Sequence, residues 1–168
     1  MHPLRILRDG ATYHVTSKTD HDDMSLLEPQ FKKLFLMFVE RAKRKFHFQL
    51  WNFCVMGNHI HFLIKPTKEG NLSKIMQWIK SNFAKAWNKA HGKKGHVWGE
   101  RFFSRIINSA REFLQISNYI DENPVKAGLV HRSTDWVFGG LYYWLHKCFD
   151  IIDDLTEPES LFAEHQLL

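Results

Sequence analysis

The order of apolar patterns along the chain predicts an α+β fold built on an antiparallel sheet. Residues 11–18, 46–55, 59–65 and 102–107 have the alternating or continuous apolar character of strands, and two long amphipathic helices separate them. The resulting order is strand, helix, strand, strand, helix, strand, which is the split βαβ pattern of a ferredoxin-like sheet. We expect both helices on one face, and a site or an added later helix on the other.

The first strand is rich in β-branched and aromatic residues, and a polar loop over 20–23 follows it. Pro29 suits the first position of a helix, because proline lacks an N–H that would be unpaired there. The apolar stripe of this first helix comprises Phe31, Leu34, Phe35, Phe38, Val39 and Ala42.

The second strand is predicted from the apolar run that begins at Phe46, and Gly57-Asn58 marks the turn after it. The third strand alternates cleanly from His59 to Lys65. One face holds Ile60, Phe62 and Ile64, and the other holds His59, His61 and Leu63.

A polar loop over 68–70 precedes the second helix, which Asn71 can cap. After the fourth strand, Ser109 and Glu112 have the spacing of a capping box, so a third helix begins there. We expect this helix to run to about Glu122 and to end before Pro124. The aromatic segment 136–144 has no clear secondary-structure pattern.

The chain is basic, and its charge is unevenly distributed. It has 168 residues and a net charge of +5. Six acidic side chains and no Lys or Arg follow Lys147, so residues 1–147 hold 23 basic and 12 acidic side chains, a net charge of +11. Such a body favours a polyanionic partner, although a solubilising surface explains the excess equally well. We expect one domain over residues 1–149 and an acidic tail over 150–168 that lies loosely on the surface or is mobile.

Cysteine usage and hydropathy bear on the compartment. Cys54 and Cys148 have no CxxC or disulfide-framework spacing, which favours free thiols in a reducing compartment. Residues 1–14 hold no apolar run of signal-peptide length, and no stretch approaches about 18 consecutive apolar residues. These observations predict a cytoplasmic protein with no membrane partner.

His59 and His61 are the first candidates for chemistry. Two residues apart on a strand, they project from one face with side chains about 6–7 Å apart at the base. Both imidazoles can therefore reach one metal ion. A His-x-His pair is weak evidence alone, because polar residues also fill the solvent side of an alternating strand.

Tyr119 is the second candidate. At about 100° per residue, Phe113, Ile116 and Ile120 define the buried face of its helix. Tyr119 and Asn123 lie together at the border of that face, one turn apart. A phenol there is commonly a core-edge residue, but its hydroxyl can also act as a nucleophile, with the Asn123 oxygen beside it as a metal ligand.

The remaining histidines and the tryptophans each allow two uses. We expect surface or nucleic-acid contacts rather than a zinc site, because the spacing matches no common zinc pattern, for His14, His91 and His96. We expect core packing rather than base stacking for Trp78, Trp87 and Trp98.

Several segments together resemble one family, the HUH single-tyrosine transposases, and especially their REP-associated members. The histidine strand of that group has His-hydrophobe-His after Met-x-Asn, which resembles CVMGNHIHFLI at residues 54–64. Its tyrosine helix is similar to NYIDENPVKAGLV at residues 118–130. Its other recurring segments resemble YHVTSKT, VWGERFFSRII and DWVFGGLYYW, in the expected order. Gly57 stands where the group often has Pro.

The resemblance implies a nucleoid-associated enzyme that cleaves and rejoins single-stranded DNA at hairpins or palindromes, through a 5′-phosphotyrosine. It assigns Tyr119 as the nucleophile, and His59, His61 and Asn123 as ligands of Mg²⁺ or Mn²⁺. Its members include both homodimers and monomers, so either state is open here. The basic body supplies candidate phosphate contacts, namely Lys80, Lys85, Lys93, Lys94, Arg101, Arg105 and Lys126.

Two other functions are compatible with the same sequence. A domesticated relative would recognise hairpin DNA or RNA without cutting it. A metal-free scaffold would bind no divalent ion at His59 and His61.

Overall fold

The elements of the fold follow the predicted order. The protein is described here by a computed structural model, over residues 6–20, 23–67, 70–155 and 158–162. The strands and α-helices are β1 (Thr12–Lys18), α1 (Pro29–Phe46), β2 (Gln49–Val55), β3 (His59–Lys65), α2 (Leu72–His91), β4 (Phe103–Ile107), α3 (Ala110–Lys126) and α4 (Gly140–Leu145). Short 3₁₀ turns cover Ser133–Asp135 and Pro158–Leu161.

The four-stranded sheet is antiparallel throughout, with strand order β2-β3-β1-β4. A split βαβ chain produces this order, because each crossover helix carries the chain past one strand position. The ferredoxin-like α+β prediction is therefore confirmed. The segment 136–144 ends in α4 and also protects the outer edge of β2. There Val55 N donates to Phe138 O at 2.9 Å, and Cys54 forms a bridge with Gly139.

Alternation along the strands gives the sheet two different faces. Ile60, Phe62 and Ile64 join the main core with α1 and α2, as predicted. The added helix α3 packs on the opposite face, mainly against β2. It closes a smaller apolar cluster of Cys54, Met56, Leu63, Ile107, Phe113 and Ile120.

The start of the second strand differs from the prediction. α1 continues to Phe46, so β2 begins at Gln49. His47 ends the helix in the left-handed conformation (φ 51°), and its N–H donates to Lys43 O at 2.9 Å. The apolar pattern misled here because Phe46 serves the helix, where it packs against the core.

The end of α3 also differs from the prediction. The helix does not end near Glu122 but continues through Pro124 to Lys126. Proline removes only its own backbone donor, and the ladder resumes beyond it, where Ala127 N donates to Asn123 O at 3.0 Å. Asn123 therefore stays inside the helix. The predicted helix starts are confirmed: the Asn71 and Ser109 side chains cap α2 and α3.

The beginning of the acidic tail is docked, so the expectation of a loose tail is wrong there. Ile151 and Ile152 are buried. Asp153 N donates to Leu50 O at 2.8 Å, and its carboxylate accepts from Leu50 N at 2.8 Å and pairs with Lys43. Other parts of the tail and of the two predicted polar loops lie outside the described residues: 156–157, 163–168, 21–22 and 68–69.

Three simpler expectations can be compared with the structure. Trp87 and Trp98 are buried and Trp78 packs against the core, as expected. Cys54 and Cys148 are free thiols, the first buried and the second exposed. Among the described residues, no helix combines the length and the apolar character of a membrane span.

Candidate active site

The two histidines of β3 lie on the sheet face that α3 partly covers. His59 is half-buried and His61 is only 4% exposed. Their rings meet edge to face, with centroids 5.1 Å apart. In the antiparallel register with β1, Lys18 lies opposite His59 and Thr16 lies opposite His61. Alternation thus places the pair on one face, as the sequence predicts.

Hydrogen bonds at the Nδ1 atoms orient both imidazoles. His59 Nδ1 lies 2.7 Å from Asn58 Oδ1, which is an acceptor, so His59 Nδ1 carries the proton and Nε2 keeps its lone pair. His61 Nδ1 lies 3.1 Å from His14 Nε2. His61 Nε2 is buried and has no hydrogen-bond partner among the described residues. Such an atom is rare in a folded protein, and it marks a place where a ligand can bind.

His14 belongs to this cluster, which corrects the expectation of a surface or nucleic-acid contact. It lies in β1 and is only 8% exposed, and its ring stacks on His61 with centroids 5.4 Å apart. Strand β1 pairs with β3, so His14 is a diagonal neighbour of His61 on the same face. The alternation of β1 could have placed His14 on the open face, but the sequence contains no information on the register with β3.

Helix α3 brings Tyr119 against these histidines. Burial of Phe113 fixes the orientation of the helix, and Tyr119 at the border stays 44% exposed. Its ring lies edge-on to His61 and His14, with centroid distances of 5.7 and 6.2 Å. The Lys126 ammonium lies 5.3 Å from the Tyr119 ring centroid. The phenol is therefore open to a large substrate and is surrounded by polar groups.

Asn123 lies one helical turn from Tyr119, and its side chain faces the histidines. Its Nδ2 donates to Tyr119 O at 2.9 Å, which leaves Oδ1 as an acceptor. Burial lowers the pKa of His59, and it lowers the pKa of His61 to about 3, because a buried imidazolium loses hydration. Asn123 opposes both shifts, because its amide oxygen favours the protonated, charged form of each ring. The side chain of Asn123 is therefore a neighbour of both histidines.

The lowered pKa values favour the neutral form of all three imidazoles of the cluster. Burial lowers the pKa of His14 to about 4, and the positive charge of Arg105 adds to this effect. Neutral imidazole is the form that binds a metal ion.

The side chains fit a divalent ion that accepts mixed nitrogen and oxygen ligands. His59 and His61 each offer an Nε2 atom, and Asn123 offers an amide oxygen. The described residues contain no group of three or more His, Cys, Asp or Glu side chains that could hold a metal. A metal at this place therefore needs the asparagine oxygen, and further ligands from water or a substrate phosphate, as is usual for Mg²⁺.

Two of the predicted DNA-contacting residues lie next to this cluster. Lys126 lies over the ring of Tyr119. Arg105 is the cross-strand partner of His14, and it forms an ion pair with Glu112 in the first turn of α3. A phosphate that binds Arg105 must compete with this carboxylate.

The other five predicted contacts lie on or near α2. Lys80 and Arg101 line a groove of about 480 Å³ between α2 and the residues before β4. Lys80 lies over the Trp98 ring and Lys93 over the Trp87 ring, each 5.3 Å from the centroid. Four further residues with predicted surface or DNA contacts are exposed: Lys85, Lys94, His91 and His96.

Comparison with known proteins identifies relatives that are described as REP-associated tyrosine transposases. The chain is 28% identical over 130 residues to the REP-associated tyrosine transposase of Escherichia coli strain K12, a match that spans 77% of this chain and 75% of that protein. It is 24% identical over 99 residues to a Haemophilus influenzae protein assigned as a REP-associated tyrosine transposase. That second match spans 53% of this chain and only 56% of the relative.

The fold matches a solved structure over almost its whole length. A REP-associated tyrosine transposase bound to a REP hairpin aligns with a TM-score of 0.76 at 24% identity, covering 94% of each chain. Residues 9–123, which include the four residues predicted to form the site, match the family described as IS200-like transposase. The chain therefore belongs to the IS200-like transposase family.

Proposed function

We propose that this protein cleaves and rejoins single-stranded DNA beside a hairpin or palindrome, with Tyr119 as the nucleophile. The observation that carries the proposal is the contact of the half-exposed Tyr119 ring with His61, whose Nε2 atom is buried and has no hydrogen-bond partner among the described residues. Family membership supports action on DNA. The fold neighbour that holds a REP hairpin supports a structured DNA substrate.

The proposed reaction is a phosphoryl transfer to tyrosine. The Tyr119 hydroxyl oxygen forms a bond to phosphorus, and the bond from phosphorus to the 3′ oxygen breaks. The phenol proton is lost to solvent, and the leaving oxygen takes up a proton to become a free 3′-hydroxyl. A second 3′-hydroxyl can attack the 5′-phosphotyrosine in the reverse sense, so rejoining needs no external energy source.

His59, His61 and Asn123 would hold Mg²⁺ or Mn²⁺ in this proposal. A divalent ion held by these residues would neutralise charge on the phosphate and help to orient it. Neighbouring side chains orient the two imidazoles for this role. Asn58 holds His59 through Nδ1, and His14 accepts from His61 Nδ1–H when His61 Nε2 serves as a ligand.

Lys126 has an electrostatic role in the proposed reaction. Its ammonium lies over the Tyr119 ring and favours the negative charge that develops on the oxygen as the proton leaves. Helix α3 carries Tyr119, Asn123 and Lys126 together, so a single rigid element positions the nucleophile, one metal ligand and one cation.

The proposal is tested by trapping the covalent intermediate. The substrate is a hairpin oligonucleotide from the protein's own locus with a single-stranded flank, labelled on the 3′ side of the cleavage site, in the presence of Mn²⁺ or Mg²⁺. Wild-type protein should carry the label through a denaturing gel. Tyr119→Phe keeps the ring and removes the attacking atom, so the adduct should vanish while hairpin binding remains.

Tyr142→Phe is the matched control, because Tyr142 lies in α4 and stacks on His146. It should form the adduct at the wild-type rate. An adduct formed by Tyr119→Phe would assign the nucleophile elsewhere. Hairpin binding by wild type without any adduct would favour the non-cleaving binding protein.

Metal binding has its own measurement, which does not depend on cleavage. Mn²⁺ is titrated into wild type and into His59→Ala/His61→Ala, and the bound ion is followed by electron paramagnetic resonance. Wild type should bind one ion more tightly than the double variant. The exposed pair His96→Ala/His131→Ala serves as control and should bind like wild type. Equal binding by wild type and the His59/His61 variant would rule out the metal site.

A further inference from the structure

The sheet face that holds the histidines extends to the edge strand β4. Thr16 lies opposite His61 on one side and opposite Phe103 on the other. Residues paired across antiparallel strands point to the same face, so His61, Thr16 and Phe103 form one row. Neighbouring strands are about 4.8 Å apart, which places Phe103 roughly 10 Å from His61 on the catalytic face.

Phe103 is exposed in a way that the packing does not explain. Its side chain is 58% exposed, more than any other aromatic residue among those described. Its neighbour Phe102, which directly precedes β4, is buried in the main core on the opposite side of the chain. A single exposed apolar residue is ordinary on a protein surface. Phe103 differs because it lies in one row with His61, and this position indicates a functional role.

A hollow beside Phe103 supplies an independent observation. It has a volume of about 630 Å³, and its lining includes Thr16, Lys18, Arg101 and Phe103. Lys18 and Arg101 are exposed. Lys18 also lies opposite His59, so the hollow borders the histidine pair. Two acidic residues, Asp20 and Glu100, line it as well.

An exposed aromatic ring, two cations and a hollow of this size are suited to binding an unpaired nucleotide. Aromatic side chains stack on bases of any sequence, because every base has a π-face, and nearby cations attract the phosphates. A base inside a duplex is already stacked between its neighbours and offers no free face. A surface with this combination would therefore favour single-stranded DNA over plain duplex.

We propose that Phe103 stacks on a base of the single-stranded flank next to the scissile phosphate, with Lys18 and Arg101 contacting the adjoining phosphates. This inference rests on the proposed function and names a substrate subsite for it. A base held two strands away from His61 fixes the strand on the catalytic face. The phosphate that follows can then lie near Tyr119, which turns a flexible strand into a positioned substrate.

The test measures binding in a Tyr119→Phe background, so that no cleavage occurs. Fluorescence anisotropy compares a hairpin with its flank, the hairpin alone, and flanked hairpins with single abasic positions. Phe103→Ala should weaken binding of the flanked hairpin by about 5- to 150-fold, the loss expected for one base stack. It should leave the hairpin alone unchanged, and Phe103→Trp should restore the affinity.

The abasic series makes the assignment specific. The loss caused by Phe103→Ala should disappear at one flank position, because the base that stacks is already missing there. Phe149→Ala removes another exposed phenylalanine, which lies far along the chain in the C-terminal region, and should change nothing. Circular dichroism of Phe103→Ala should match wild type, since the ring is mostly exposed.

Two results would overturn the subsite. One is equal affinity of the flanked hairpin for proteins with and without Phe103. The other is an equal loss on the hairpin alone, which would place Phe103 in a duplex contact. The covalent-adduct assay with Tyr119 intact is separate, so adduct formation alongside either result rejects the subsite while the proposed function stands.

Discussion

Asn52 links the tyrosine helix to the sheet, and its replacement tests how the site is positioned. The side chain is only 4% exposed in β2. Its Nδ2 lies 2.8 Å from Ser117 Oγ and 2.9 Å from Asp121 Oδ1, and its Oδ1 accepts from Phe53 N at 2.8 Å. Ser117 and Asp121 both lie in α3, on either side of Tyr119. One buried amide therefore holds the central part of that helix.

Asn52→Ala removes these hydrogen bonds and leaves their partners unsatisfied. A net hydrogen bond is worth about 0.5–1.5 kcal/mol, and a buried group without a partner costs about 1–3 kcal/mol. We expect the free energy of unfolding to fall by about 2–4 kcal/mol. For a chain of this size that corresponds to a melting temperature roughly 4–16 °C lower.

The loss should depend on pH, because Asn52 contacts a titrating carboxyl. Burial raises the pKa of Asp121 from 3.8 to about 6, and the hydrogen bond from Asn52 lowers it in part. The folded state therefore binds more protons than the unfolded state between these values, so stability falls as pH rises through that window. Without Asn52 the pKa of Asp121 rises further, and the fall continues to higher pH. The penalty of Asn52→Ala should be larger at pH 8 than at pH 5.

Thermal unfolding in metal-free buffer at pH 5 and pH 8 checks both parts of this reasoning. Asn118→Ala is the matched control, because Asn118 is an exposed asparagine of the same helix. Its effect should stay within about 0.5 kcal/mol at either pH. A penalty for Asn52→Ala that is equal at the two pH values would refute the coupling to Asp121. A penalty no larger than the control's would refute the anchoring role.

Three further predictions concern other parts of the molecule. Gly140→Ala should lower stability by about 1–3 kcal/mol, because its Cβ would lie 2.9 Å from Phe53 N and against Asn52; a wild-type melting temperature would contradict this packing. Burial raises the pKa of Cys54 to about 12, so a thiol reagent should modify Cys148 alone in the native protein; rapid reaction of both thiols, or labelling that survives Cys148→Ser, would contradict it. Hairpin affinity should fall roughly 10³- to 10⁵-fold between 50 and 200 mM salt if about 6–10 phosphates are contacted, and a flat response would exclude a mainly electrostatic interface.

The sequence predicts the fold and part of the site because both depend on local patterns. Alternation along residues 59–65 places His59 and His61 on one face, whatever the rest of the chain does. The helical period of α3 places Tyr119 and Asn123 at the edge of its buried face. Capping chemistry at Asn71 and Ser109 sets the helix starts. Each of these predictions needs only the residues within one element.

Two of the errors arise where a distant segment decides the outcome. The role of His14 depends on the register of β1 against β3, which no local pattern encodes. The docked Asp153 depends on Lys43 and on the backbone of β2, far away in the sequence. In both cases the free energy comes from a tertiary contact. Helix α3 is different, because it continues past Pro124 through hydrogen bonds within the helix itself, which resume beyond the proline.

Net charge alone also does not show which cations are free to bind a partner. The +11 body predicts a polyanionic partner, but several of its cations have protein contacts. Lys43 pairs with Asp153, Arg105 pairs with Glu112, and the Lys32 ammonium donates to a backbone carbonyl. A DNA phosphate that binds one of these cations would have to displace its protein contact, and each displacement would offset part of the gain from counterion release. The salt dependence of binding therefore counts the cations that reach phosphate, a number that the sequence charge can only bound from above.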